Sequence, residues 1–189
     1  MVNRLRELWA YRELVRNLVA RDLKVRYRNS VLGIIWSWAN PLLMMMVFTL
    51  VFNFLFVRTD LEHYHVFLLS ALLPWQFFSQ SVSEATNSIV GNAHLIKKVY
   101  FPREVLPISI LLSNLINFLI ALPVFFGLAL ISGAEITPWA LLLPVPIVVQ
   151  MLFALGICLI LTTLNVFYRD TQIILGVVMQ AWFFLTPVF

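Results

Sequence analysis

The chain has 189 residues, of which 61% are hydrophobic and 12% charged, with a formal net charge of +4. Soluble domains carry about 25% charged residues, and the mean hydropathy here is +0.91. Too little polar surface remains to cover a water-facing globule, which leaves an all-α integral membrane protein. The one cysteine, Cys158, lies in an apolar run and forms no intrachain disulfide.

Residues 1–30 come first. Leu5, Leu8, Tyr11, Val15, Leu18 and Val19 share one helical face, and Arg6, Arg21, Lys24 and Arg28 gather opposite. This pattern predicts an amphipathic helix lying in the membrane interface. Arg12 and Arg26 break it and would have to snorkel. Arg21, Lys24, Arg26, Tyr27 and Arg28 stand directly before an uncharged run. Cations there anchor the first span, each gaining on the order of 1 kcal/mol from anionic headgroups.

Residues 31–189 form the membrane domain. Five apolar spans are expected, over about 31–57, 64–90, 105–131, 139–166 and 171–189. A helix needs about 20 residues to cross the hydrocarbon core. Strands are excluded because the runs are too long and do not alternate. Pro41, Pro74 and Pro123 interrupt the first three spans and free the carbonyls of Ser37, Ser70 and Leu119. Such kinks shape packing more often than they gate. Trp and Tyr near the span ends fit the two membrane interfaces.

The second span is the least apolar. Its inner half reads "SQSVSEATNSIVGN", Ser79 to Asn92, and contains Glu84, the one ionisable residue expected at membrane depth. An acid there faces the bundle interior or water. Three readings stand. Glu84 belongs to a polar pathway wall with Ser83 and Asn87, or it is a proton relay, or it is hydrogen-bonded structurally to a neighbouring helix. A relay needs partners, and apart from His65 at the outer end of the second span no other Asp, Glu, His or Lys lies within the spans.

Charge fixes the expected orientation. Twelve of the thirteen Lys and Arg residues fall on one side of this layout, which the positive-inside rule makes cytoplasmic, N-terminus included. No G-x-x-x-x-G-K-[ST] loop occurs, so ATP is not expected to bind in the P-loop manner. No G-x-S-x-G, H-E-x-x-H or Cys/His metal spacing is present either, and no catalytic or metal residue is expected. The basic patch beside a span suits lipid headgroups rather than nucleic acid.

Three stretches carry a family resemblance: "RDLKVRYRNSVLGIIWSWANPLL" (Arg21 to Leu43), "NAHLIKKVYFPREVLPIS" (Asn92 to Ser109) and "LNVFYRDTQIILGVVMQAWFFLTPVF" (Leu164 to Phe189). Together they resemble the ABC type-2 exporter permeases, within the branch that exports polysaccharides, O-antigens and teichoic acids. The resemblance implies six membrane helices, of which this sequence holds five, a fragment not expected to transport alone. It implies a second copy of the permease, two ATPase subunits that bind ATP and magnesium, and a lipid-linked polymer as substrate. It also implies a bacterial inner-membrane location, with Arg21 to Arg28 near the cytoplasmic entrance. Residues 92–104 then become the coupling segment, with His94, Leu95, Ile96, Lys97, Lys98, Val99, Tyr100, Phe101 and Arg103 facing the ATPase. The alternatives are a type-2 exporter of drugs or lipids, and a proton-coupled carrier using Glu84.

Overall fold

The structure, a computed structural model, describes residues 9–27, 35–55, 63–134 and 137–186. Among these residues every regular element is helical. Helix α1 (Arg12–Tyr27) precedes α2 (Trp36–Leu55) and α3 (Tyr64–Thr86). Two short helices follow, α4 (Ser88–Gly91) and α5 (Ala93–Lys98), then α6 (Val105–Ile131). A 3₁₀ turn (Pro138–Leu142) leads into α7 (Pro144–Phe167), and α8 (Thr171–Leu185) closes the described chain. Two segments, Val105–Ile131 and Pro138–Phe167, are long and apolar enough to cross a bilayer; Trp36–Val51 and Thr171–Leu185 are shorter apolar helices.

Helix α3 is the hub, packed against α2, α6, α7 and α8. Its Leu69, Leu73, Phe77 and Val82 join Leu111 and Phe118 of α6, Ala154 and Cys158 of α7, and Leu175 and Met179 of α8 in one core. In lipid, helices gain little from hydrophobic burial, so close packing and polar bonds must hold them. The α3–α7 seam uses both. Ser81, Ala85, Ala154 and Cys158 are small and fully buried, which lets the backbones approach. Gln150 Nε2 donates to the Pro74 carbonyl at 2.8 Å, Thr162 Oγ1 to Ala85 at 2.7 Å, and Asn165 Nδ2 to Thr86 at 3.0 Å.

Those bonds mark a break in the helix within the expected second span, about 64–90. Helix α3 stops at Thr86, and Asn87 adopts φ −90°, ψ 0°. The last carbonyls of a helix lack intrahelical partners. Here α7 side chains supply them, so the backbone can turn into α4 while still inside the bundle. The three internal prolines lie inside α2, α3 and α6 as expected. Polar side chains reach the backbone near two of them: Gln150 at Pro74, and Trp38 Nε1, which donates to the Ile120 carbonyl at 2.8 Å.

Helix α1 is not simply laid on lipid. Its buried Leu18 packs with Phe101, Val105 and Leu106, and Tyr11, Leu14 and Val15 flank them. Much of the apolar face expected to meet acyl chains therefore covers the start of α6. Leu5 and Leu8, expected on the same face, lie outside the described residues.

Candidate functional site

Glu84 sits on α3 one turn beyond Gln80, and Gln76 one turn before that. Residues four apart share a helix face, so the three side chains form a polar stripe about 12 Å long at 1.5 Å per residue. On α6, Asn114 and Asn117 are three apart and also share a face. The packing of α3 on α6 turns these faces towards each other, and α1 delivers Arg26 to the same place.

Arg26 makes the central contact. Its Nη2 donates to Glu84 Oε1 and Oε2, both at 2.9 Å, and its Nη1 donates to Asn114 Oδ1 at 2.9 Å. Asn114 Nδ2 donates to Glu84 Oε2 at 3.0 Å, and Gln80 Nε2 to Oε1 at 3.1 Å. The planar guanidinium fork suits this two-sided hold. The Arg26 and Glu84 side chains keep 28% and 37% of their surface exposed, so desolvation is partial and four polar groups share the charge. Glu84 is thus a carboxylate with a cation and two amides around it, consistent with the hydrogen-bonded reading of this residue. Arg26 does not snorkel outward as its place in the pattern suggests; it points inward because Glu84 and Asn114 complete its hydrogen bonds.

Two cavities meet at this ion pair. One, of about 240 Å³, lies between α2, α3 and α6, with Arg26, Asn40, Gln76, Gln80, Asn114 and Asn117 among its polar walls and Trp36, Phe77 and Phe118 among its apolar ones. The other, of about 500 Å³, has Arg21, Asp22, Arg26, Glu84, Asn92 and Ser113 in its lining. Arg26 borders both, and Glu84 lines the second.

Of the expected wall residues, only Glu84 joins this network. The Ser83 carbonyl accepts from Gln172 Nε2 of α8 at 3.4 Å, and Asn87 is exposed at the end of α3. Of the expected entrance residues, Arg21 pairs with its neighbour Asp22 at 2.9 Å, Lys24 is exposed, and Arg26 turns inward. The side chains of Tyr27 and Arg28 lie outside the described residues. Sequence reasoning passed over Asn40, Gln76, Gln80, Asn114 and Asn117. The regular spacing of Gln76, Gln80 and Glu84 was the available signal.

The segment 92–104 divides in two. His94, Lys97, Lys98, Val99 and Arg103 are exposed, and Tyr100 is 88% exposed. Phe101, at 6%, is buried against Leu18, while Leu95 and Ile96 pack beside it. Tyr100 and Arg103 border a groove of about 530 Å³ that extends to Thr163, Val166 and Phe167 at the end of α7.

The sequence matches the ABC-2 type transporter family over residues 13–189. It is 40% identical over 188 residues to the O-antigen export system permease protein RfbA of Myxococcus xanthus, covering 100% of this chain and 72% of that protein. Two proteins of the same name from Klebsiella pneumoniae are each 37% identical over 169 and 171 residues, covering 89% of this chain and 65% of theirs. The chain thus spans about two thirds to three quarters of the length of these relatives. A match that takes in nearly every residue, on a bundle of apolar helices with a polar junction inside it, places this chain in the ABC-2 type transporter family.

Proposed function

We infer that this chain is the membrane part of an ABC exporter that moves a lipid-linked polysaccharide of the O-antigen class out of the cytoplasm. The observation that carries this reading is the 40% identity to an O-antigen export permease across the whole chain. The fold suits it. A bundle held by polar contacts encloses a carboxamide-rich cavity, which favours a hydrophilic cargo over an apolar drug or lipid. The proton-coupled alternative loses support because Glu84 is held by Arg26, Gln80 and Asn114 rather than presented alone to a water path.

In this reading the five apolar segments all cross the inner membrane, and the N-terminus is cytoplasmic. Two copies of the permease pair, and two separate ATPase subunits bind ATP with magnesium and drive the cycle. Their force enters through the exposed side chains of 92–104, with Tyr100 and Arg103 at the groove beside α7. Lipid-linked substrate reaches the pair near α1. The test is genetic and biochemical: deleting the full-length gene should trap lipid-linked polymer inside the cell, and export in vesicles should follow ATP supplied to the ATPase. Polymer reaching the surface at the normal level without the permease would overturn the reading.

A further inference from the structure

The geometry points to the cavity between α2, α3 and α6 as a subsite for one neutral sugar ring, a reading that rests on the export function inferred above. Asn40 and Gln80 are exposed and Gln76 is half-buried. The side chains of Asn40 and Gln76 make no hydrogen bond to another described residue. A carboxamide without a partner is costly in hydrocarbon, so this face does not meet lipid tails. It faces water or a polar ligand.

The lining selects among ligands. Each carboxamide offers both donors and acceptors, and each sugar hydroxyl is itself a donor and an acceptor. Asn40 on α2 and Gln76 on α3, whose amides are not committed elsewhere, therefore match hydroxyls at two points on a ring's rim. Among the described residues of its lining the one charged side chain is Arg26, which is already committed to Glu84 at 2.9 Å and so is not a bare charge to recruit an ion. Trp36 stands at the edge, 46% exposed, and presents an aromatic surface of the kind on which the C–H face of a pyranose packs. At about 240 Å³ the cavity is smaller than the roughly 300 Å³ at which sites for drug-sized ligands begin, so it takes a single ring rather than an oligosaccharide. The subsite would hold one unit of the passing polymer weakly, as a track must.

The test uses the full-length permease with its ATPase in nanodiscs. Cys158 is buried, so, with any cysteine elsewhere in the complex replaced by serine, a cysteine introduced by Gln76→Cys reports on a small hydrophilic thiol reagent. Modification should proceed, and a panel of neutral methyl pyranosides should slow it at least threefold, whereas glycine betaine at equal osmolality should not. The same protection should appear with Asn40→Cys, a second variant on a different helix. In parallel, Gln76→Leu with Asn40→Leu should cut ATP-driven export at least fivefold without lowering the ATPase rate in proportion. A Gln76→Cys thiol that never reacts would place this face against protein or lipid and overturn the subsite. Reaction without glycoside protection at both positions would make the cavity a water pocket and overturn it as well. Protection is measured without any transport step, so its failure is distinct from failure of the export reading, which would show as surface polymer in cells lacking the permease.

Discussion

Arg26 and Glu84, 58 residues apart in sequence, meet with one guanidinium nitrogen 2.9 Å from each carboxylate oxygen. The contact ties α1 to the hub helix α3. Asn114 extends the tie to α6, and Leu18 fastens α1 to Phe101 at the end of the segment 92–104. Helix α1 is therefore clamped at two points, one polar and one apolar. A push on 92–104 has a short mechanical route through α1 to the centre of the bundle.

The polar clamp makes a definite double-mutant prediction. Exposed ion pairs contribute at most about 1 kcal/mol and breaking a buried one costs about 3–5 kcal/mol. This half-buried pair should show a coupling of about 1–2 kcal/mol between Arg26→Ala and Glu84→Ala in denaturant unfolding of the full-length permease. The exchange Arg26→Glu with Glu84→Arg should recover part of the loss caused by either charge reversal alone. Additive single effects would mean that the contact carries no coupling.

Glu84→Gln tests the same network through function. Gln keeps one acceptor oxygen for Arg26 but replaces the other with an NH2 donor that faces donors, so ATP-driven export should persist but weaken, by no more than about tenfold, the factor that 1.4 kcal/mol represents. Vesicles supplied with ATP and with a pH gradient in separate experiments decide it. Export that follows the pH gradient and vanishes in Glu84→Gln would restore the proton-coupled alternative.

Capping of α3 by α7 gives a third prediction. Thr162→Val and Asn165→Leu preserve size but leave the Ala85 and Thr86 carbonyls without their side-chain donors. Interhelical hydrogen bonds in membranes average about 0.6 kcal/mol and reach about 1.7; two at a buried helix end should together cost about 2 kcal/mol. Unfolding of the double variant should shift accordingly, with helix content in the folded state unchanged. An unshifted midpoint would mean that the chain re-satisfies these carbonyls by itself.

What the sequence made legible was local. Hydropathy located the apolar helices α2, α6, α7 and α8. Proline placement matched the helix interiors. The break after Thr86 has no local signal, because its cap is on another helix: Asn165 is 79 residues away from the carbonyl it caps. Arg26 was read outward for the same reason. Its partners Glu84 and Asn114 lie 58 and 88 residues off, and a one-helix pattern carries no record of them. The carboxamide cavity needed three helices to assemble. Only its Gln76–Gln80–Glu84 stripe was visible along one.

Orientation can be checked directly because the native thiol at Cys158 is buried. Single cysteines introduced by Lys97→Cys and Arg169→Cys, both at exposed positions, should resist an impermeant thiol reagent in intact cells. Thr137→Cys, on the opposite connection and also exposed, should react. Labelling of Lys97→Cys from outside would reverse the proposed topology.

The neighbours Tyr100 and Phe101 should behave oppositely when each is truncated. Tyr100 is 88% exposed and Phe101 is 6% exposed, so the ring available to an ATPase subunit is Tyr100. Aromatic anchors at protein interfaces often contribute about 2 kcal/mol or more, which corresponds to roughly thirtyfold in affinity. Tyr100→Ala should therefore leave the unfolding midpoint of the permease unchanged, yet weaken ATPase co-purification and uncouple hydrolysis from export. Phe101→Ala removes a ring from the Leu18–Val105–Leu106 cluster and should destabilise by about 3–5 kcal/mol, as large-to-small core changes do. Helix α1 should then loosen, visible as faster thiol modification of a Leu18→Cys reporter in the Phe101→Ala background than in the parent. Phe101→Leu, which keeps most of the apolar volume, should restore both the midpoint and coupling. If Tyr100→Ala binds and couples like the parent, the exposed face of 92–104 is not where the ATPase docks. If Phe101→Ala uncouples export while α1 stays protected and the midpoint holds, the apolar clamp is not the route by which force reaches the bundle.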